Sequence, residues 1–291
     1  MKVITITFET TDRRLWFKNI ANNVQNASFV RCGDIVHLNF SAINDIHKFS
    51  PAHIVSLACF IEYLVQNKCK VVIEGTETNA VSQYLWHTLR MQEYWNLGQN
   101  FVPAVDNSIF NLWRIVEREK EMHSRRIHDY LKQNFFKNKD LSAVRNSLDE
   151  AYYNIFDHAA ANGNAYSFIK FDEKSKKLFV AVCDFGIGIA QSVKKAVSDI
   201  TSDSIAIKKA MEYKFTTRSQ THNMGMGLGN IKDTCTDDDV LCIISNSGLL
   251  MAKRDNMIAQ DEDYDFPGTL IYYELSLSHF EDEEIIDNFA L

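Results

Sequence analysis

The sequence predicts an α/β protein built from two units, and three observations carry that reading. Residues 1 to about 97 alternate short β-rich runs with helical periods, the pattern of an α/β layer with some parallel pairing. Beyond Leu141 a long uninterrupted helical stretch gives way to a β-rich run, Lys177 to Cys183, that ends on Asp184. Between Asp149 and Gly229 three short motifs follow one another: Glu150-Ala-Tyr-Tyr-Asn154-Ile-Phe-Asp157-His158, Asp184-Phe-Gly186-Ile-Gly188-Ile189 and Gly225-Met-Gly227-Leu-Gly229.

In the first unit the strand runs are Val3–Phe8, Ile35–Phe40 and Val71–Ile73, and the helical periods are Arg13–Val24, Pro51–Gln66 and Glu77–Met91. Ser50 ahead of Pro51 has the form of an N-cap with proline at the first helical position. The segment Leu97-Gly-Gln-Asn-Phe-Val-Pro103 reads as a boundary. After it, Asn107 to about Phe136 has helical spacing and many charges, which predicts a connecting or dimer-forming helix. His128, within that stretch, reads as a surface histidine. No Gly or Pro interrupts Leu141 to Ala161, so a second helix is expected there. The apparent helix Asn230–Cys235 and the strand Leu270–Leu275 follow.

The composition excludes several classes. The chain has 291 residues, 46% hydrophobic, and a formal charge of −7. Its longest nearly apolar run, Ile54 to Val65, carries Glu62 and falls short of the ~20 residues a membrane helix needs. The start, Lys2-Val-Ile-Thr-Ile-Thr-Phe, alternates like a strand and is not a signal peptide. The 6 cysteines form no C-x-x-C pair and sit mostly in apolar runs, as expected of reduced core residues in a cytoplasmic protein. Residues 1–103 hold 9 Lys and Arg against 8 Asp and Glu, so the acidic excess lies later. It concentrates in Asp237-Asp-Asp, Asp261-Glu-Asp-Tyr-Asp and Glu281-Asp-Glu-Glu, read as solvated loops. Such a balance argues against nucleic-acid binding.

The three motifs carry chemistry. On a helix, Glu150, Asn154, Asp157 and His158 share one face, and a polar stripe on an apolar helix needs a partner. A magnesium-bound triphosphate would supply one. The Asn154 amide oxygen suits Mg²⁺, which takes few protein ligands, and Glu150 one turn earlier would orient or deprotonate an attacking group. The alternative is an amphipathic helix with a solvated edge. Asp184 at a strand end can accept a hydrogen bond from the adenine amine, with Gly186 and Gly188 allowing backbone to approach; the alternative is a capped glycine turn. Gly225, Gly227 and Gly229 ahead of a helix would cradle phosphate, or form a flexible loop. A dinucleotide fingerprint needs Gly-x-Gly-x-x-Gly after a strand with an acid ~20 residues on, and neither glycine cluster fits. No Gly-Lys-Ser/Thr occurs.

The ordered set resembles the GHKL superfamily of ATPases, and within it is most similar to the anti-sigma-factor serine kinases. Lys214-Phe-Thr-Thr217-Arg218 and Pro267-Gly268-Thr269 resemble further segments of the group. The resemblance implies a Bergerat-type α/β sandwich with a mixed sheet, binding ATP and Mg²⁺. Glu150 would be the catalytic base, Asn154 the metal ligand and Asp184 the adenine-reading carboxylate, supported by Thr269. Asp157, His158, Gly186, Gly188, Ile189, Lys214, Thr217, Arg218, Gly225, Met226, Gly227, Leu228 and Gly229 would complete the ATP site. A basic segment from about Ile189 to Met224 would close over the nucleotide. The first unit resembles STAS domains, in which Ser50 would be the nearest phosphoacceptor. The expected division is 1–100 STAS-like, 101–140 connecting helical segment and 141–291 GHKL. The expected function is a signalling switch that binds and slowly hydrolyses Mg-ATP and acts on a protein partner or through self-association. The alternatives are a serine kinase or a nucleotide-gated module without turnover.

Overall fold

The computed structural model of the chain describes residues 1–26, 30–157, 165–212, 227–253 and 256–277. It is an α/β fold with two sheets. Strands β1 (Val3–Thr7), β2 (Ile35–Asn39) and β3 (Lys70–Ile73) form a parallel sheet in that order. Helix α1 (Arg13–Gln25) links the first two strands and α2 (Pro51–Gln66) the second pair. Asp12 caps α1 by accepting the Leu15 N–H at 3.0 Å. The sequence pattern of the strands explains their placement: Ile4, Ile6, Val36 and Leu38 alternate with exposed or half-exposed neighbours, so one face is buried.

The third helix expected in this unit is broken. Residues Ala80–Gln83 form α3, a π-helical turn covers Tyr84–Thr88, and α4 (Met91–Asn96) starts afresh after Arg90 adopts a left-handed φ of 53°.

The second sheet holds β4 (Ile109–Ile115), β5 (Ala165–Asp172), β6 (Lys177–Asp184), β7 (Leu241–Lys253) and β8 (Asn256–Ser276) in the order β4-β5-β6-β8-β7. Every pairing in it is antiparallel, which corrects the expected mixed sheet. The long β7–β8 pairing extends to Lys253 and Asn256, and hairpin geometry favours antiparallel strands. A second correction concerns Asn107 to Phe136. Its α-helix is confined to Lys120–Asn134 (α5), entered through a 3-10 turn at Glu117–Glu119, and Ile109–Ile115 is β4, buried at nearly every position. Strands covered on both faces lose alternation and read as plain apolar runs, which a helical period imitates.

The two faces of this sheet belong to different cores. Tyr166, Phe168, Ala181, Cys183, Leu270 and Tyr272 point toward α1 and α2. The alternate residues, among them Ile169, Val180, Val182, Ile271 and Tyr273, pack with α5, α6 (Ser142–Asp157), α7 (Ile189–Ala196), α8 (Asp203–Ala210) and α9 (Gly227–Thr234). Helices α1 and α2 are thus shared between the two sheets. Polar ties cross the same boundary: Glu62 Oε2 accepts from Arg114 (2.9 Å), Tyr166 (2.8 Å) and Trp95 (2.7 Å).

The acidic runs also differ from the expected loops. Glu262 lies in β8, is 8% exposed and meets Arg14 at 2.5 Å. Asp239 is fully buried and accepts from Thr236 and Ser276. Glu281 to Glu284 lie outside the described residues. The described cysteines are free thiols, all but Cys32 buried or half-buried. Among the described residues no helix is long and apolar enough to cross a membrane.

Candidate functional site

The antiparallel ladder brings Asp184, the last residue of β6, opposite Thr269 of β8. Chain reversal after Asp184 depends on two glycines. Gly188 has φ 85°, and a Cβ there would stand 2.6 Å from Ser245 Oγ. Gly268 has φ 112°, and its Cβ would come within 2.8 Å of the Gly186 nitrogen. A side chain at Gly268 would push into the backbone of Asp184 to Gly186, and one at Gly188 would displace the Ser245 and Asn246 side chains; both glycines also hold a φ that other residues rarely adopt.

Asp184 is fully buried. Its Oδ1 accepts the Gly186 N–H at 2.6 Å, whereas Oδ2 has no hydrogen-bond partner among the described residues. Burial pushes its carboxyl up to about 8, and the Gly186 and Thr269 backbone groups pull it back only in part. An orphaned carboxylate oxygen in a dry site is costly unless something donates to it.

The start of α7 is closed by the same cluster. Gly188, its N-cap, offers no side chain. Instead Thr269 Oγ1 accepts the Ile189 N–H at 3.0 Å and Ser245 Oγ the Ala190 N–H at 3.2 Å. These hydroxyls replace a local cap, so this helix end is satisfied from within the fold. Ile189 itself is buried in the core.

On α6, Glu150 and Asn154 lie one turn apart. The Asn154 amide nitrogen donates to the Glu150 carboxylate and, at 2.7 Å, to its carbonyl oxygen. Both donor bonds use Nδ2, which commits the amide orientation and leaves Oδ1 as the acceptor of the side chain. Asn154 is 4% exposed. Asp157 closes α6. Helix α6 packs against α9, so the helices bearing the first and third motifs are neighbours.

In the third motif, Gly227 and Gly229 fall inside α9, not ahead of it, and Leu228 is fully buried. A Cβ on Gly229 would lie 2.9 Å from the Met211 carbonyl oxygen, so a packing need is visible there. His158, Lys214, Thr217, Arg218, Gly225 and Met226 lie outside the described residues. The segment expected to close over a ligand is in part core: Ala190, Val193, Ala206, Ile207 and Met211 are buried. Two of its lysines are already paired, Lys194 with Asp203 at 2.8 Å and Lys209 with Glu212 at 2.5 Å.

Sequence reading missed Ser245, Asn246 and Asp203. Asn246 adopts a left-handed φ of 55°, and its amide donates to the Ile187 carbonyl at 3.3 Å. Buried Asp203 accepts from Ser247 N–H (3.1 Å) and Oγ (2.7 Å). The Asn246-Ser-Gly248 turn signal inside an apolar run was the available clue. Ser50, by contrast, stands at the N-cap of α2 with Pro51 opening the helix, and its N–H donates to His53 Nδ1 at 3.0 Å, the return bond of a capping box. No cluster of three or more His, Cys, Asp or Glu among the described residues is placed to hold a metal. Neither a protein-family model nor any curated protein matches the chain.

Proposed function

We propose that the chain is an ATP-binding signalling switch of the GHKL kind, with adenine read by Asp184 and a magnesium-bound triphosphate reached from α6. One observation carries the reading: a fully buried carboxylate whose Oδ2 is unpartnered among the described residues, at the end of a strand framed by obligatory glycines. An exocyclic amine would donate to Oδ2. A guanine carbonyl at the same place would not, and this asymmetry gives base selectivity.

Asn154 Oδ1 would contribute one ligand to Mg²⁺, in keeping with a metal that relies mostly on phosphate oxygens and water. Glu150 would accept the proton of the attacking group, whether water or a protein hydroxyl. A reading without turnover is favoured by one contact: the Glu150 carboxylate is engaged by Asn154 in this state, and a base so held must be released before it acts. Phosphate release and ATP affinity measured on Glu150→Ala and Asn154→Ala decide between them. The enzyme reading expects Glu150→Ala to keep affinity while turnover falls ~10²–10⁴-fold. Tight binding with no phosphate release or phosphoserine in the unmodified protein would leave only the binding module.

A further inference from the structure

The part of the chain without candidate catalytic residues contains a cavity of about 530 Å³ beside the edge strand β3. Its volume falls in the roughly 300–1,000 Å³ range of small-molecule sites. Val65 of α2, Val71 of β3, Trp86, Met91, Gln92 and Trp95 are among the residues that line it.

Three independent features mark it as more than a packing gap. Trp86 sits in the π-helical turn, and the next helix begins only after the left-handed Arg90. Irregular helical turns and strained backbone gather at functional sites. The Gln92 side-chain oxygen is buried without a hydrogen-bond partner among the described residues. Trp95 is fixed in place, its indole N–H donating to Glu62 at 2.7 Å, so the aromatic wall is preformed and ligand ordering costs little.

We propose that this cavity binds a small, flat aromatic molecule carrying a hydrogen-bond donor and an anionic group. The two indoles supply flat apolar surface for the ring. Gln92 of the lining carries the unmet acceptor, which a ligand donor would satisfy once the amide turns toward the cavity. Lys70 lies on the lining and no Asp or Glu does, so the local charge favours an anion. The lining offers no acid–base pair, and burial pushes the Cys69 thiol up, away from its reactive form. The site binds; it does not catalyse.

The probe is 8-anilinonaphthalene-1-sulfonate, which has a bridging N–H, two aromatic systems and a sulfonate. It is titrated into the full chain, with energy transfer from tryptophan as the readout. One saturable site is expected, insensitive to Mg-ATP. Val65→Trp, which adds bulk to the lining, should weaken binding about tenfold or more, and Gln92→Leu by several-fold. Melting temperature checks that each variant folds; should Val65→Trp melt early, the exposed Lys70→Glu gives the same weakening by charge reversal. Undiminished binding in well-folded Val65→Trp or Lys70→Glu, non-saturating binding, or displacement by Mg-ATP would overturn the inference. Because the readout does not involve nucleotide turnover, it stands or falls separately from the ATP reading.

Discussion

Thr269 stands opposite Asp184 in the β6–β8 ladder, and its hydroxyl oxygen accepts the Ile189 N–H at 3.0 Å. One residue therefore links the buried carboxylate to the start of α7. Thr269→Val keeps the shape and removes the acceptor, leaving a buried N–H unpaired. It should cost about 1–3 kcal/mol, read from urea unfolding, while Thr269→Ser should recover most of it. Equal stability of Val and Ser variants would show that the cap does not matter.

Asp184 also predicts a pH dependence. Its folded-state value is raised, to about 8, by burial. Stability from its neutral form is therefore complete below the ordinary carboxylate value and is lost as pH rises through 8. Above pH 8, Asp184→Asn should be more stable than the unmodified protein, and the advantage should vanish near pH 4. A donor at Oδ2 favours the ionised form, so nucleotide affinity should climb between pH 6 and 8 and level off above. A flat profile would contradict the assignment.

The buried histidines act in the opposite direction. Burial lowers His53 to about 4 and His123 to about 3. Both ring nitrogens of His123 lack hydrogen-bond partners among the described residues, the Glu119 carboxylate stands 3.7 Å from Nε2, and the ring meets Trp113 edge-on at 3.9 Å. Neutral histidine is favoured in the fold, so this stability is present above about pH 6.5 and lost as pH falls toward 4. His123→Phe should flatten the acid limb of the stability profile, measured by melting temperature from pH 7 to 4. An unchanged acid limb in a folded variant would assign the loss elsewhere.

Glu62 joins the parallel-sheet unit to the antiparallel sheet. Glu62→Ala strips Arg114 of its partner at a site where both side chains are mostly buried, 14% and 16% exposed. The loss should be roughly 3 kcal/mol. Replacing both, as Glu62→Leu with Arg114→Met, should recover much of it, because neither charge is then stranded. A double-mutant cycle with no coupling would remove the pair from the account.

How much of this was legible depends on the range of the interactions. Pro51–Gln66 was readable because its cap and period are local. Of the three ordered motifs, Glu150 and Asn154 fall on α6, Asp184 at the end of β6, and Gly227 and Gly229 on α9, with α6 packed against both β6 and α9. Strand β4 was not readable, since Ile109, Phe110, Leu112 and Trp113 are buried by contacts on both sides of the sheet and so show no alternation. Nor was the role of Glu262, whose partner Arg14 is 248 residues away. Ser245, and the capping role of Thr269 beside its expected support of Asp184, escaped for the same reason: each serves a helix that begins far from it in sequence.

The central claim is that Asp184 reads adenine. Calorimetric titration of Mg-ATP and Mg-GTP into the unmodified chain and Asp184→Asn tests it most directly, with unfolding curves to establish that both proteins are native. The account predicts ATP binding well above GTP in the unmodified chain, and a roughly ten- to hundredfold loss of ATP affinity in the variant. Equal affinity for the two nucleotides, or ATP binding untouched by Asp184→Asn, would contradict it.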